Sequence, residues 1–571
     1  MSLVGAVCRN VLRRRPLRRI RQLQEFSTMT TTKDFVVSSS VPDVHIPDVP
    51  VHEYVWSNFD RWHDKIAVEC VETSKRYTYA DIHRMAHNLA GFLQKNGLGK
   101  GDTAAIVLPN VPEYFVALLG IMQAGLTITT INPIYTSDEI KKQLMSANAR
   151  MVFTMTDLFP TVNTAVNCIP NVKVPIVTIN YTQQQTNPAG TIKFEETCST
   201  RYDIKDPRWE PNDVVLLPYS SGTTGLPKGV QLTHKNLVAN YKLTSVPEFK
   251  LNVDTHGDVQ DVVPIILPMF HMYGLGVVGL SMFAQGVKFT TLAKFNTQLF
   301  SKLLHQYDPT LLYIVPPIIL MMLNNPEFEI EKNRSLRSVV SAAAPLGAAD
   351  INRFQDRTSD RIHLLQIYGM TECAPLSHHQ SFLLKDGIKI GGSGIALPNT
   401  HCKIVNVDDP DCIGLGPNTS GELLIKGPQV MKGYYNNDKA NKDIFVGDGW
   451  LRTGDIAHYD EDGHFFITDR LKELIKVKGF QVAPAELEEL LRDHPDVKDA
   501  AVIGVPDERS GEVPKAFIVF RDTSKSSIED LHKYVAEKVV KYKQLTGGIV
   551  VLDQIPKTAS GKILRRELKK M

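Results

Sequence analysis

Short apolar runs and amphipathic stretches take turns along most of this chain. Between Tyr77 and Asn96 the apolar residues Ile82, Met85, Ala86, Leu89, Ala90, Phe92 and Leu93 recur at helical spacing and predict a helix. Asp102 to Leu108 then reads as a strand, Tyr114 to Gly125 as a helix and Leu126 to Ile131 as a strand. Alternation of this kind predicts stacked α/β layers. Val214 to Leu217 reads as a buried strand, and Thr233 to Asn240 as a helix with Thr233 as its N-cap. The apolar region Val262 to Ala284 is long enough to cross a bilayer. Its Pro264, Pro268, His271 and glycines suit a buried strand and loop better. Leu311 to Leu323 is too short to span and contains Pro316-Pro317. Tyr181 to Pro188, rich in Gln and Thr, reads as a surface loop, and Asp460-Glu461-Asp462-Gly463 as a hairpin turn. Pro484 followed by acidic residues marks a helix start.

At 571 residues the chain exceeds one compact core, so two or more domains are expected. Hydrophobic and charged contents of 43% and 22% are those of an ordinary globular protein. A net charge of +2 argues against a nucleic-acid binder driven by charge. The seven cysteines contain no Cys-x-x-Cys pair, so neither a zinc site nor a disulfide framework is indicated, and a reducing compartment fits best. Residues 1–33 differ from the rest: Arg9, Arg13, Arg14, Arg15, Arg18, Arg19 and Arg21 precede the first acid, Glu25. An Arg-rich, acid-poor start is the composition of a mitochondrial transit peptide. The alternatives are a disordered basic tail, initiation at Met29 and a cytoplasmic address. The chain's last residues are not Ser-Lys-Leu, so a peroxisomal signal is not expected.

Candidate chemistry centres on Tyr219 to Val230. This stretch holds Ser220, Ser221, Gly222, Thr223, Thr224, Gly225 and Lys228 between the predicted strand and helix. Strand, Gly/Ser/Thr loop and helix is a layout in which backbone N–H groups and hydroxyls wrap a phosphate while a lysine supplies charge. The spacing is not Walker A, because Gly229 follows Lys228. The plainer reading is a polar turn. Ser341 to Gly347 is a run of small residues: a tight strand-to-helix turn, or room for a flat ligand such as adenine or an acyl group. Gln366-Ile367-Tyr368-Gly369-Met370-Thr371-Glu372 is either a turn or a site, with Tyr368 able to stack on a purine, Thr371 to bond a phosphate and Glu372 to hold Mg²⁺. Asp455, after Thr453-Gly454, can accept both hydroxyls of a ribose. His271 sits in an apolar run where the chain turns, as a core histidine or at a pocket edge. Lys476, Lys478 and Lys562 taken singly read as solvated lysines.

Together these motifs, in this order from about residue 50 to 566, resemble the adenylate-forming superfamily, and within it the acyl-CoA synthetases related to 4-coumarate–CoA ligase and firefly luciferase. The resemblance implies a large domain of layered sheets and helices over residues 34–471 and a small mobile α+β domain over 472–571. It implies an ATP-dependent ligase that makes an acyl-AMP from a carboxylic acid and passes the acyl group to coenzyme A. Lys562, Lys476, Gln481 and His271 are its implied catalytic residues. The glycine loop with Lys228, Ala344, Gln366, Ile367, Tyr368, Gly369, Thr371, Asp455, Arg470 and Lys472 are implied to bind ATP and AMP. Lys294, Lys478 and Gly479 would bind coenzyme A; His271, Tyr273, Ala343, Gly369, Ala374 and Leu376 would line the acid pocket; Thr223 and Glu372 would hold Mg²⁺. Many relatives carry Gly where this chain has Ile367. Gly421 to Gly427 and Met431 to Tyr435 resemble further family segments and are read as structural. The acid is left between a fatty acid and a hydroxycinnamate-like aromatic acid. In the family the small domain turns between the two steps, so the faces bearing Lys562 and Lys476 are expected on opposite sides of it. The rival readings are a luciferase-like oxygenase and an inactive acyl- or nucleotide-binding protein.

Overall fold

Thr103–Val107, buried at every position, lies between two parallel neighbours, Thr127–Thr130 and Ala149–Met155. A strand buried on both faces needs no polar alternation, which is why it reads as a continuous apolar run. The sheet continues in parallel through Ile176–Ile179 and Ile192–Lys193. On its other side Ile128 pairs with Leu216, and Lys228–Thr233 follows antiparallel to Val214–Leu216. Helix Tyr79–Lys95 opens on a capping box of Thr78 and Asp81 and buries Leu89 in the core that holds Ala104 and Phe115. The computed structural model describes residues 34–169, 174–220, 227–478, 480–507, 509–522, 524–558 and 561–571. The basic segment 1–33, loop residues Ser221, Gly222, Thr223, Thr224 and Gly225, and Gly479 lie outside the described residues.

Two local expectations are corrected. The phosphate-loop candidate does not run from a strand into a helix. Tyr219–Ser220 and Lys228–Thr233 pair antiparallel, so the loop closes a hairpin and Lys228 is a strand residue opposite Ser220. Helix His234–Thr244 begins beyond that strand, and its N-terminus is already satisfied by a capping box of Thr233 and Asn236. The second correction concerns Val262 to Ala284. Only Val262–Ile265 is a strand; Tyr273–Leu280 forms a π-helical segment running into Ser281–Phe283. The glycines that argue for a loop instead permit close packing: a Cβ on Gly274 would lie 2.4 Å from the Pro268 carbonyl.

The large domain contains three further sheets. One is parallel through Leu311–Ile314, Ser338–Ser341 and His363–Gly369, then antiparallel through Leu376–His379. Another pairs Val262–Ile265 with Lys288–Thr291. The third is antiparallel and carries Gly421–Lys426, Trp450–Tyr459 and Phe465–Arg470. The small domain has its own core of Ile475, Val482, Leu487, Leu491, Val502, Ile518 and Leu531. There the hairpin Ile475–Val477/Phe480–Val482 joins the long pair Val497–Asp507 and Gly511–Phe520, with helix Pro484–Arg492 on the sheet.

The two domains cap one another's helices. Helix Ala348–Thr358 starts after Gly347, which has no side chain to cap it; the Ala348 N–H donates to Glu489 Oε1 of the small domain at 3.0 Å. Helix Pro484–Arg492 likewise has no side-chain cap from Ala483, and its Ala485 N–H donates to Asp469 Oδ2 of the large domain at 2.8 Å. Carboxylates at these helix starts satisfy orphan N–H groups and meet the positive end of the helix dipole. Burial pushes the Asp469 carboxyl up to about 6, with Arg565 pulling the other way. Arg565 in turn is clamped by Glu473 Oε2 at 2.5 Å and Glu488 Oε1 at 3.0 Å.

Candidate active site

Between the domains lies a cavity of about 1590 Å³. One part of its wall is charged. Ser220 and Lys228 come from the hairpin, Thr371 and Glu372 from the turn after His363–Gly369, Arg470 from the end of strand Phe465–Arg470, Lys472 from the turn that follows it, and Lys562 from the small domain. The other part is apolar, with Met272 and Val277 from the π-helical segment, Ala342 and Ala343 from the small-residue run, and Ile367, Pro375 and Leu376. A volume of this size exceeds that of an ordinary single-ligand pocket and suits two ligands side by side.

Glu372, only 4% exposed, receives two hydrogen bonds on Oε1, from Ser220 Oγ at 2.8 Å and Tyr434 OH at 2.9 Å. Among the described residues no hydrogen bond reaches its other oxygen. The Lys228 ammonium lies 4.9 Å from the centre of the Tyr434 ring. Val230 pairs with Tyr434 across the sheet, which fixes this arrangement. Tyr434, read from the sequence as structural, therefore belongs to the site; its signal is an aromatic beside the strand-pairing Gly433. A buried carboxylate with a free hard oxygen fits Mg²⁺, which takes few protein ligands and completes its shell with water and phosphate. Among the described residues no larger cluster of His, Cys, Asp and Glu could hold a metal.

Asp455 stands just behind the cavity wall. Tyr368 OH donates to its Oδ2 at 2.6 Å, and Arg470 Nε pairs with its Oδ1 at 3.0 Å. Asp455 raises the Arg470 pKa, while burial and the Asp455 charge push the Tyr368 phenol well above its usual value. Glu422 braces the irregular stretch of strand Trp450–Tyr459 before Asp455. It is ion-paired with Arg452 and accepts from the Gly454 N–H at 3.2 Å. Burial raises the Glu422 pKa.

Lys562 is half-buried on a loop tied back on itself: its N–H donates to Thr558 Oγ1 at 3.1 Å, and the Thr558 N–H donates to its carbonyl at 2.8 Å. Gly561 has φ +81, and a Cβ there would come within 3.2 Å of Pro317 and Val315 of the large domain. This position therefore requires glycine both for its conformation and for the approach of the loop. Burial, then the Arg470 charge, lowers the Lys562 pKa to about 8. His271 lines the same cavity; burial and Lys562 push it down to about 3, so it is neutral at physiological pH. Its Nδ1 accepts from the Tyr273 N–H at 3.2 Å. Burial, then Arg470, lowers the Lys472 pKa.

Of the residues singled out in the sequence, Ser220, Lys228, His271, Tyr273, Ala343, Ile367, Gly369, Thr371, Glu372, Leu376, Arg470, Lys472, Lys476 and Lys562 all border this cavity. Others do not. Gln366 is spent on the fold: its Oε1 accepts from the Leu346 N–H at 3.0 Å and its N–H donates to Gln380 at 2.7 Å. Ala374 is fully buried, and Pro375 reaches the cavity in its place. Ala344 lies beyond Ala343 on the turn, and Lys294 is exposed on a loop after Lys288–Thr291. Lys478 is exposed, with its N–H bonded to the Ser510 carbonyl at 2.8 Å. Gln481 pairs with Lys476 in the hairpin. Lys476 was expected on the side of the small domain opposite Lys562. Lys476 borders the same cavity beside Gly511 and Glu512, because its strand begins directly after the turn that follows Arg470.

The family model for AMP-binding enzymes matches residues 55–435, and that for the AMP-binding enzyme C-terminal domain matches residues 486–562. The chain is 37% identical to 4-coumarate–CoA ligase 1 of Arabidopsis thaliana, over 96% of this chain and 98% of the relative. ATP-bound MatB from Rhodopseudomonas palustris superposes with a TM-score of 0.81 at 25% identity, over 92% of this chain and 99% of MatB. The apo form of MatB, over the same shares and at the same identity, gives 0.72. Two domain models in the right order, a near-full-length relative and a cavity joining both domains lead to one conclusion: the chain belongs to the AMP-binding enzyme family, the adenylate-forming fold of a large and a small domain.

Proposed function

We propose that this chain is an AMP-forming acid–thiol ligase that joins a carboxylic acid, fatty or hydroxycinnamate-like, to coenzyme A. A carboxylate is a poor electrophile because its charge repels nucleophiles. In the first step a carboxylate oxygen attacks the α-phosphorus of ATP, the bond to the β-phosphate oxygen breaks, and pyrophosphate leaves. In the second the thiol of coenzyme A attacks the acyl carbon, the thiol proton goes to solvent, and AMP departs. Catalysis of the first step is positioning plus charge neutralisation. The hairpin loop through Ser220 and Thr223, with Lys228, would hold the leaving phosphates. Ala344, Ile367, Tyr368 and Gly369 would flank the base, Asp455 the ribose, and Arg470, Lys472 and Thr371 the phosphate side. Glu372 and Thr223 would hold Mg²⁺, which would supply positive charge against that of the phosphates. Lys562 would bridge acid and α-phosphate. The small domain, taken to begin at Lys472, would then turn to bring Lys476, Lys478, Gly479 and Gln481 to the acyl-AMP, with Lys294 on the path of coenzyme A.

The observation that carries this reading is the entry of Lys562, from the small domain, into the cavity that already holds Lys228, Glu372 and Arg470 of the large one. The purified chain is incubated with ATP, Mg²⁺, coenzyme A and a panel of fatty and aromatic acids, reading pyrophosphate and acyl-CoA. Acid-dependent release of both is expected. Pyrophosphate release without thioester would sink the second half of the proposal, and no release with any acid would sink the whole.

A further inference from the structure

We infer that this site selects acids whose far end is apolar and unsubstituted, and turns away those that carry a hydroxyl there. The inference rests on the ligase reading and deepens it. The π-helical segment Tyr273–Leu280 is buried except at Val277, which borders the cavity together with Tyr273. The same cavity is lined by Ala342, Ala343, Ile367, Pro375 and Leu376, none with a polar side-chain atom. The polar side chains that precede Val277 on this stretch, His271 and Tyr273, each have a polar atom engaged within the protein. Tyr273 turns its hydroxyl into the sheet, donating to the Val340 carbonyl at 3.0 Å with the Ile314 carbonyl at 3.3 Å. His271 uses Nδ1 on the Tyr273 N–H and stands on the Lys562 side of the cavity, where the carboxylate would lie. Ser341 opens the small-residue run, but its hydroxyl is buried, has no hydrogen-bond partner among the described residues and does not border the cavity.

A hydroxyl delivered to this wall leaves water and meets no side-chain partner. Burying it unpaired disfavours the transition state by about 10- to 100-fold in kcat/KM relative to the hydrogen analogue. The relative described above is named for a hydroxylated acid, 4-coumarate, so the inference separates this chain from it.

The test uses matched pairs on the full chain with ATP, Mg²⁺ and coenzyme A: cinnamate against 4-hydroxycinnamate, and octanoate against 8-hydroxyoctanoate. In each pair that turns over, the unsubstituted acid is expected to lead by about 10- to 100-fold in kcat/KM. Parity, or a lead for the hydroxylated acid, overturns the inference. Val277→Thr keeps the shape of the side chain and adds a hydroxyl, so the ratio within a pair should narrow several-fold; an unchanged ratio removes Val277 from the wall. Should no acid release pyrophosphate, the ligase reading fails. The thermal shifts given by each pair in the presence of AMP then decide the wall on their own, and equal shifts count against it.

Discussion

Lys562 shows how a residue can be chemically distinctive in the structure and plain in the sequence. As one lysine of a basic tail it carries no signal; it becomes legible only through the resemblance of the whole chain to the adenylate-forming superfamily. Its environment then sets its chemistry. With its pKa lowered to about 8, the ammonium that would stabilise developing charge is present below that pH and is lost above it. In the free enzyme, kcat/KM for acid-dependent pyrophosphate release should therefore fall by about tenfold per pH unit above roughly pH 8. Lys562→Arg keeps its charge and should abolish that alkaline limb. Lys562→Ala should cost at least about 10²-fold in pyrophosphate exchange while leaving conversion of supplied acyl-AMP to acyl-CoA intact. Exchange at the wild-type rate would remove Lys562 from the first step. Tyr434 and Glu489 were not legible as functional, because what matters in each is a partner far away in the chain.

At the scale of elements, periodicity located the helix Tyr79–Lys95 and the strand Thr103–Val107 with little error, because burial alone sets their pattern. It failed where packing at close range decides. The hairpin Tyr219–Ser220/Lys228–Thr233 depends on a cross-strand register, and the π-helical segment on glycines that fit against distant backbone. The reciprocal helix caps were equally hidden, since neither Gly347 nor Ala483 announces that its helix borrows a carboxylate from another domain. Such a cap contributes about 0.5–2 kcal/mol. Glu489→Ala should thus lower pyrophosphate exchange about three- to tenfold by loosening the closed arrangement. It should leave thioester formation from supplied acyl-AMP unaffected. Equal loss in both half-reactions would show that Glu489 serves stability in general.

Over the whole molecule, length and alternation were enough to expect more than one domain and α/β layers, and both hold. The relative placement of the domains is a property no local pattern encodes. The chain superposes better on ATP-bound than on apo MatB, which agrees with Lys562 lying inside the cavity. If the small domain turns between steps, Lys476, exposed at the rim here, is wanted in the second step only. Lys476→Ala should lower acyl-CoA formation from acyl-AMP about tenfold or more and pyrophosphate exchange by much less. Comparable losses in both assays would argue against alternation.

The position of Tyr434 has one more consequence. Lys228, on a strand, and Glu372, on the turn after His363–Gly369, carry opposite charges and would neutralise each other if free to meet. A ring that faces the ammonium and a hydroxyl that tethers the carboxylate hold them apart like an insulator between two terminals. Both poles thus stay live, and the electrostatic work of separating them is done when the chain folds.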